Sequence, residues 1–287
     1  MASFREVGHC IWQAVGKVPH GKHVTILGGV HGNELTGVQV VEQLKASCPP
    51  LLVGTLTLIL GNPKAIEINE RGSAPHADLN RHFTIDLFNK PSSDATYEEL
   101  RAKEIAPYLQ NSDLVLDLHA TNKPSVPFLK VAGQLSSLHY NVFRWFPCDT
   151  ILHDPSFLLA GKVALTDEYT GFYGGVGMIY ESGLASDVSR VPELHRSVLH
   201  ILSTELSVIE HNNDLTPTPQ RNVFEVTEVF RLPPSGFQWS CDRGGRNFDC
   251  VPPHAPIGVF GDGRVLQVPY ESYIVFPKVP SLWKLGS

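Results

Sequence analysis

The sequence predicts an α/β protein with a mixed, largely parallel sheet flanked by helices, followed by a small C-terminal β domain. Strand-like and helix-like segments alternate through the first part of the chain, which is typical of a parallel sheet with helical crossovers. Later residues form only short β-type runs separated by Gly and Pro. We therefore expect an α/β domain over residues 1–210 and a small β domain over residues 221–287.

Turn residues bound the segments of the predicted α/β domain. The apolar run His23–Leu27 stops at two glycines and predicts a buried strand, and the periodicity of Leu35–Ala46 predicts a helix. Strands are also predicted over 55–60, 113–118 and 176–180, and an amphipathic helix over 192–209. Thr96 and Glu99 have the spacing of a capping box that opens a helix to about Leu109.

The last part of the chain begins with a predicted linker. Residues 211–220 are polar and contain two prolines, and β-type runs follow at Phe224–Phe230 and Tyr273–Phe276. Two of the five cysteines, Cys241 and Cys250, flank a Gly-rich turn and could pair, but free thiols are the expected state. The odd count and the absence of a CxxC pair argue against a disulfide framework or a thiolate zinc site.

Composition excludes several classes of protein. The chain has 287 residues, 42% of them hydrophobic, and a formal net charge of -6, so it is neither disordered nor basic enough for nucleic acid. No apolar run approaches the roughly 18 residues of a membrane span, and the N-terminus lacks an apolar signal core. We expect a soluble, cytoplasmic protein without a nucleic-acid or membrane partner, with homo-oligomerisation left open.

Residues that can bind a metal follow three predicted strands. His31 and Glu34 come after the first strand, His119 ends the strand that contains Asp117, and Glu181 follows a later strand. Because ligand sites form at the carboxyl ends of parallel strands, these side chains are expected at one edge of the sheet. Two His and one Glu are a ligand set of catalytic zinc sites, which keep a fourth position open.

Each part of this pattern also has a structural interpretation. His31 and Glu34 could be a charge pair at a helix start, and His119 could be a hydrogen-bonded structural histidine. Asp117 favours the metal interpretation, because residues two apart in a strand share a face and a carboxylate can hold the second ring nitrogen of a ligand histidine. The Gly-rich turn lacks a phosphate-binding motif. His195 and His200 are expected on the surface.

A second polar cluster lies between the strands. Arg71 precedes the run Asp78-Leu-Asn80-Arg81. Asn80 and Arg81 suit a substrate carboxylate, because an arginine can bind a carboxylate through two hydrogen bonds. Arg71 suits an oxygen that gains negative charge. The structural alternative is a loop salt bridge between Asp78 and Arg81.

Taken together and in this order, the motifs resemble those of the succinylglutamate desuccinylase/aspartoacylase family, which has a zinc carboxypeptidase-like fold. The resemblance covers about residues 24–185 and rests on five motifs, namely Gly29-Val-His31-Gly-Asn-Glu34, Asn62-Pro63 leading to Arg71, Asp78-Leu-Asn80-Arg81, Asp117-Leu-His119 and Glu181-Ser-Gly. It implies one Zn²⁺ per chain, bound by His31, Glu34 and His119. It also implies roles for four further residues: Glu181 as general base, Arg71 polarising the scissile carbonyl, and Asn80 with Arg81 holding the α-carboxylate.

The resemblance implies an aspartoacylase-like amidohydrolase that releases a carboxylate and a free amino acid from an N-acyl amino acid. Desuccinylation of succinylglutamate and deacylation of N-acyl aromatic amino acids are alternatives. A carboxypeptidase is less favoured, because the C-terminal domain of the family narrows the site, and a non-catalytic carboxylate-binding protein would not need Glu181.

This sequence also departs from the animal members. They carry an arginine ten residues before the catalytic Glu, where this chain has Gly171, and a late tyrosine whose nearest aromatic match is Trp283. Weak discrimination between acidic and neutral amino acids is therefore expected.

Overall fold

A nine-stranded sheet forms the centre of the larger of two units. The structure is a computed structural model that describes residues 1–210, 215–218, 221–240 and 243–278. One unit consists of Met1–Ala120 and Pro127–Thr227, and the other of Thr121–Val126 and Glu228–Ser287. The predicted fold class is confirmed, because helices flank a mixed, largely parallel sheet and the C-terminal part forms small antiparallel sheets.

The strands and helices of the larger unit alternate along the chain. Its strands are β1 (Arg5–Gly8), β2 (Ile11–Val15), β3 (Val18–Gly28), β4 (Val53–Leu60), β5 (Leu114–Thr121), β6 (Phe128–Ala132), β7 (Thr150–Asp154), β8 (Val176–Leu184) and β9 (Asn222–Glu225). Its helices are α1 (Leu35–Ser47), α2 (Pro63–Ile68), α3 (Tyr97–Gln110), α4 (Ser137–Phe143), α5 (Thr166–Phe172) and α6 (Val191–His200). Leu79–Arg81 and Ser92–Asp94 are 3₁₀ turns, and Ile201–Glu205 is a π-helical turn.

The strand order is β1-β2-β4-β3-β5-β8-β6-β7-β9. β3 pairs in parallel with β4 and β5, and β7 pairs in parallel with β6 and β9. β2 pairs antiparallel with β1 and β4, and β6 pairs antiparallel with β8. The carboxyl ends of β3 and β5 therefore lie side by side, and both carry predicted site residues.

Both faces of the central strands are buried, which explains their nearly continuous apolar sequences. Ile26 of β3 and Leu116 of β5 belong to one core cluster. Leu27 and Val115, each next to one of these residues, belong to a second cluster. Successive side chains of a strand point to opposite faces, so the two clusters fill the space between the sheet and the helices on either side.

Two glycines let α1 pack unusually close to the sheet. A β-carbon on Gly28 would lie 2.2 Å from the carbonyl oxygen of Gly37, and one on Gly37 would lie 2.2 Å from that of Leu118. No other residue type fits at these two crossings. The start of α1 is therefore held against the ends of β3 and β5, where Glu34 and His119 lie.

Helix α3 fixes the loop that follows β4. Arg101 is buried and donates hydrogen bonds to the carbonyl oxygens of Leu60 and Gly61, 2.8 and 2.7 Å away. Glu98 accepts hydrogen bonds from the side chain of Asn62 and the backbone of Ser73. The predicted capping box is confirmed, since Thr96 and Glu99 exchange hydrogen bonds at the start of α3.

The smaller unit contains two antiparallel sheets in its described residues. Its strands are β10 (Phe237–Trp239), β11 (Asp249–Val251), β12 (Gly258–Phe260), β13 (Val265–Leu266) and β14 (Ser272–Ile274). β10, β12 and β13 form one sheet, and β11 pairs with β14 to form the other. Val251, Ile257, Leu266 and Val268 form their shared core.

Some predicted segments differ from those in the structure. The run predicted over Phe224–Phe230 is instead β9, Asn222–Glu225, which pairs with β7 in the large sheet. The predicted helix over 192–209 ends at His200 and continues as the π-helical turn. The domain boundaries at residues 210 and 221 stay a prediction.

Other predictions concern His200 and segments that lie outside the described part of the chain. The prediction that His200 is on the surface is wrong: His200 is buried, and its ring lies 4.0 Å from that of Trp145. Cys241, Trp283 and most of the predicted linker at 211–220 lie outside the described residues. No helix in the described part of the chain is long and apolar enough to cross a membrane.

Candidate active site

The loop that follows β3 places His31 beside Glu34. The backbone N–H of Glu34 donates to the carbonyl oxygen of His31, which closes a tight turn directly before α1. Both side chains are buried, and Nδ1 of His31 lies 2.9 Å from Oε1 of Glu34. The turn therefore directs the imidazole and the carboxylate toward the same point.

His119, near the end of β5, completes this group. Its Nδ1 lies 2.9 Å from Oε2 of Glu34 and 3.2 Å from Nδ1 of His31. The backbone N–H of Ala120 also donates to Oε2 of Glu34, 2.9 Å away, and fixes that carboxylate. The potential ligand atoms of His31, Glu34 and His119 all lie within 4.8 Å of one another.

The chemistry of this donor set fits a metal ion. Nδ1 of His31 and Nδ1 of His119 lie 3.2 Å apart, and each lies 2.9 Å from an oxygen of Glu34. Neutral rings that carry their proton on Nε2 direct only lone pairs at this point, and a cation would satisfy them. Imidazole nitrogen and carboxylate oxygen are common ligands of zinc, and three protein ligands are typical of a catalytic site. His31, Glu34 and His119 are thus the residues that could hold the metal.

A carboxylate holds the second ring nitrogen of each histidine. Nε2 of His119 lies 2.9 Å from Oδ2 of Asp117, as the spacing in β5 predicts. Nε2 of His31 lies 3.0 Å from Oδ1 of Asp78, on the loop before the 3₁₀ turn Leu79–Arg81. These contacts leave Nδ1 of both rings for the shared point, and carboxylate partners of this kind orient ligand histidines.

The charges of Glu34 and His119 stabilise each other. Burial alone would raise the pKa of Glu34, but His31 and His119 lower it below its ordinary value. Burial alone would lower the pKa of His119, but the carboxylates of Asp117 and Glu34 raise it well above its ordinary value. The pocket therefore favours a carboxylate at Glu34 together with positive charge beside it, which a bound cation would supply.

Arg71 lies at the edge of this group. The backbone N–H of Gly32 donates to the carbonyl oxygen of Arg71, which ties the Arg71 loop to the His31 loop. Nε and Nη2 of Arg71 donate to Oδ2 of Asp78, 3.3 and 3.0 Å away, and Nη1 lies 3.5 Å from Oε1 of Glu34. The alternative of a loop ion pair between Asp78 and Arg81 is not what forms, because Asp78 pairs with Arg71.

Glu181 lies on β8, opposite Phe128 of the antiparallel strand β6. Its carboxyl group is buried, and Oε2 has no hydrogen-bond partner in the described part of the chain. Burial raises the pKa of Glu181 to about 7, and the charges of His119, Glu34 and His31 also act on it. A carboxyl group with a pKa near neutrality can both accept and donate a proton during a reaction.

Asn80 and Arg81 occupy the 3₁₀ turn that follows Asp78. Asn80 is buried, and its Oδ1 accepts a hydrogen bond from the backbone N–H of Thr166, 3.0 Å away. Arg81 is exposed, and its Nη1 donates to the carbonyl oxygen of Asn80 at 2.7 Å. An amide and a guanidinium thus lie next to each other one turn after Asp78, the partner of His31.

Comparison with known proteins agrees with this arrangement. The sequence profile of the succinylglutamate desuccinylase/aspartoacylase catalytic domain matches residues 20–146, the part that contains the three potential metal ligands. A probable aspartoacylase from Nostoc is 41% identical over 107 residues, which are 34% of this chain and 35% of that protein. Over residues 20–146 the chain is therefore similar to the catalytic domain of the succinylglutamate desuccinylase/aspartoacylase family.

A second relative is named for a different activity. The N-acyl-aromatic-L-amino acid amidohydrolase (carboxylate-forming) of Xenopus tropicalis is 32% identical over 142 residues, 47% of this chain and 44% of that protein. In both comparisons the chain thus matches less than half of the length of its curated relative.

Solved structures of the family share the fold over nearly the whole chain. Succinylglutamate desuccinylase from Vibrio cholerae superposes with a TM-score of 0.77 at 18% identity, covering 96% of this chain and 82% of that one. The enzyme from Chromobacterium violaceum gives a TM-score of 0.71 at 17% identity, covering 96% and 92%. At these identities the similarity establishes the fold.

Position 171, where the animal members carry an arginine, is a glycine on the surface of this protein. Gly171 is exposed near the end of α5, and a β-carbon there would meet nothing within 4 Å. The chain then turns at Gly175 and begins β8 beside Asp113, because the backbone N–H of Val176 donates to the carbonyl oxygen of Asp113.

Two contacts of the group were absent from the sequence-based interpretation. Asp78 is the partner of His31, and Thr166 donates a hydrogen bond to Asp117. Residues 47 and 49 positions apart make these contacts, so no local spacing indicates them. The only sequence feature that indicates a role for Asp78 is its position before Asn80 in the family motif.

Proposed function

We propose that this protein hydrolyses the amide bond of an N-acyl amino acid with the help of a zinc ion held by His31, Glu34 and His119. The observation that carries the proposal is the convergence of these three ligands beside Glu181 and Arg71. The names of the relatives, aspartoacylase and N-acyl-aromatic-L-amino acid amidohydrolase, support the same reaction class.

The metal site has the composition expected of a catalytic centre. The chemistry that a bound zinc ion supplies in such a site is Lewis-acid activation of water and of a carbonyl oxygen. Glu34 contributes one negative charge, and Asp117 and Asp78 keep the two imidazoles in the tautomer that leaves Nδ1 free for a metal.

Glu181 is the proposed general base. Its carboxylate accepts a proton from the attacking water and then donates it to the leaving amine nitrogen, so the proton passes from one bond to the other without leaving the site. Burial of the carboxyl group keeps its pKa in the range where both steps are feasible.

Arg71 is the proposed partner of the carbonyl oxygen. Two of its nitrogens are held by Asp78, and Nη1 remains directed toward the Glu34 side of the site. A guanidinium fixed in this way stabilises negative charge that develops on the carbonyl oxygen, because it needs no reorganisation.

Asn80 and Arg81 are the proposed anchor for the free carboxylate of the amino acid. Oδ1 of Asn80 is already used by Thr166, so Nδ2, a donor, is the atom left for the substrate. The exposed Arg81 supplies positive charge at the same turn. This combination recognises an anion, and it favours substrates with a carboxylate next to the scissile nitrogen.

The acyl group and the amino acid stay open between three named activities of the family: aspartoacylase, succinylglutamate desuccinylase and N-acyl-aromatic-amino-acid amidohydrolase. A cytoplasmic location and homo-oligomerisation also stay predictions.

One experiment tests the reaction class. Zinc content is measured on the purified protein, and amine release is followed with N-acetyl-L-aspartate, N-succinyl-L-glutamate and N-acetyl-L-phenylalanine. We expect about one zinc per chain and turnover of at least one substrate that ends on chelation and returns with zinc. Full activity after exhaustive chelation, or zinc binding without turnover of any N-acyl amino acid, would contradict the proposal.

A further inference from the structure

Thr166, the first residue of α5, connects the two halves of the candidate site. It is completely buried. Its Oγ1 donates a hydrogen bond of 2.6 Å to Oδ2 of Asp117, and its backbone N–H donates one of 3.0 Å to Oδ1 of Asn80. One residue therefore contacts both the carboxylate behind His119 and the amide proposed to bind substrate.

Asp117 depends on very few donors. It is 0% exposed, and Oδ2 receives its hydrogen bonds from His119 and Thr166. Oδ1 has no hydrogen-bond partner in the described part of the chain. A buried carboxylate needs hydrogen-bond donors to stay oriented and charged. Loss of one of its two donors would therefore leave the carboxylate of Asp117 free to turn.

The carboxylate behind the other histidine is held differently. Asp78 accepts two hydrogen bonds from the guanidinium of Arg71 and one from the backbone N–H of Asn80. Its side chain is also 21% exposed, so water can solvate it. The position of His31 thus depends on a charged partner, whereas the position of His119 depends on one neutral hydroxyl group.

The start of α5 is rigid enough for Thr166 to act as a fixed point. Lys130 of β6 is buried and donates hydrogen bonds to both oxygens of Asp167 and to Oε1 of Glu168. Oε2 of Glu168 accepts hydrogen bonds from the backbone N–H groups of Ala164 and Leu165. These bonds hold the residues on both sides of Thr166.

We propose that Thr166 is a positioning residue for the metal site. Its hydroxyl group orients the carboxylate of Asp117, and this carboxylate orients the imidazole of His119 so that Nδ1 points to the metal. Its N–H independently sets the amide of Asn80. The inference rests on the proposed zinc-dependent function and assigns a residue that the family motifs do not contain.

Substitution by valine separates the two contacts. Thr166→Val keeps the shape and the N–H but removes the hydroxyl group. We expect the zinc affinity, measured by competition with a chromogenic chelator, to fall roughly 10- to 100-fold, the usual effect of losing an outer partner of a metal ligand. Thr166→Ser keeps the hydroxyl group and should retain the affinity. The KM of the zinc-saturated valine variant should stay close to that of the original chain, because the Asn80 contact remains.

Thr170→Val is the matched control. Thr170 lies one turn later in the same helix, is equally buried, and donates its hydroxyl hydrogen to the carbonyl oxygen of Thr166. Its replacement removes a buried hydroxyl group without touching Asp117, so zinc affinity should not change. Unchanged zinc affinity in Thr166→Val, or an equal loss in Thr170→Val, overturns the proposal.

Two further measurements test whether Thr166 acts through Asp117 and whether the valine variant fails only because it does not fold. In an Asp117→Ala background, Thr166→Val should have no additional effect on zinc affinity, because the hydroxyl acts through Asp117. An additional loss there overturns the proposed route. Thr166→Ala replaces the valine variant if valine prevents folding, and the same loss is expected. If the original chain itself binds no zinc, the proposed function fails; if it binds zinc and the variants do not differ, only the role of Thr166 fails.

Discussion

Nε2 of His31 lies 3.0 Å from Oδ1 of Asp78, and the other oxygen of Asp78 accepts two hydrogen bonds from Arg71. One carboxylate thus orients a metal ligand and the arginine proposed to stabilise the reacting carbonyl. Burial opposes charge on Asp78, but His31 and Arg71 hold the pKa of Asp78 well below its ordinary value. The ligand and the guanidinium are coupled through a single charge.

Asp78→Asn should therefore damage both functions at once. Zinc affinity should fall roughly 10- to 100-fold, as for other partners of ligand histidines. The kcat/KM of the zinc-saturated variant should also fall, because Arg71 loses its charged partner. Asp86→Asn, which changes an exposed aspartate eight residues later (86 − 78), is the control and should alter neither value. Unchanged zinc affinity in Asp78→Asn would show that His31 does not need this carboxylate.

Glu181→Gln tests the general base. Glutamine keeps the size of the side chain but cannot accept a proton, so kcat should fall roughly 10²-fold or more. Zinc content should be retained, because Glu181 is outside the group of three ligands. Glu34→Gln is the comparison and should lose zinc. If Glu181→Gln loses zinc and Glu34→Gln keeps it, the ligand and the base have been exchanged.

The parts of this site that the sequence predicts are those set by short-range geometry. Asp117 and His119 are two residues apart in a strand, so alternation alone puts them on one face. His31 and Glu34 share one turn at the end of a strand. For both pairs, the structure places the side chains as expected.

The contacts that the sequence does not predict join distant loops. Asp78 reaches His31 only because the loop after α2 is tied to Gly32, and Thr166 reaches Asp117 only because α5 packs on β8, the neighbour of β5 in the sheet. Helical spacing alone predicts His200 on the surface, but Trp145 covers it from another segment of the chain. Such contacts depend on tertiary packing and leave no period in the sequence.

Lys130→Met tests the anchor of α5. Lys130 is buried between Asp167 and Glu168, so its loss leaves two buried carboxylates without their cation. We expect the free energy of unfolding to fall by about 3–5 kcal/mol, measured by urea denaturation. Lys22→Met is the matched control, since the Lys22–Asp113 pair is 50% and 37% exposed and should contribute about 0–1 kcal/mol. Equal effects of the two substitutions would mean that the buried pair does not anchor α5.

Arg81→Ala tests the carboxylate anchor. Loss of a charge-assisted pair costs about 1.5–3 kcal/mol, so kcat/KM for an N-acyl amino acid should fall roughly 10- to 100-fold. The same substrate with its carboxylate converted to an amide should be poor for both the original protein and the variant. For this amide, Arg81→Ala should change kcat/KM very little. Arg190→Ala, which removes an arginine paired with Glu193, is the control. An equal loss for the acid and the amide would exclude Arg81 as the anchor.

His139 should make stability depend on pH. Its Nδ1 accepts a hydrogen bond from the backbone N–H of Ser136 at 3.0 Å, which requires a neutral ring, and burial with the nearby His153 lowers the pKa of His139 from 6.5 to about 4. Between these two values the unfolded chain binds more protons at this site than the folded chain does. The contribution of neutral His139 to the free energy of unfolding is therefore complete above pH 6.5 and is lost as the pH falls toward 4. The loss should be about 1–3 kcal/mol after allowance for solvent screening. Urea denaturation across this range should show the loss in the original chain and in His76→Gln, an exposed control, but a smaller loss in His139→Gln. Parallel pH profiles for all three proteins would show that His139 does not titrate with folding.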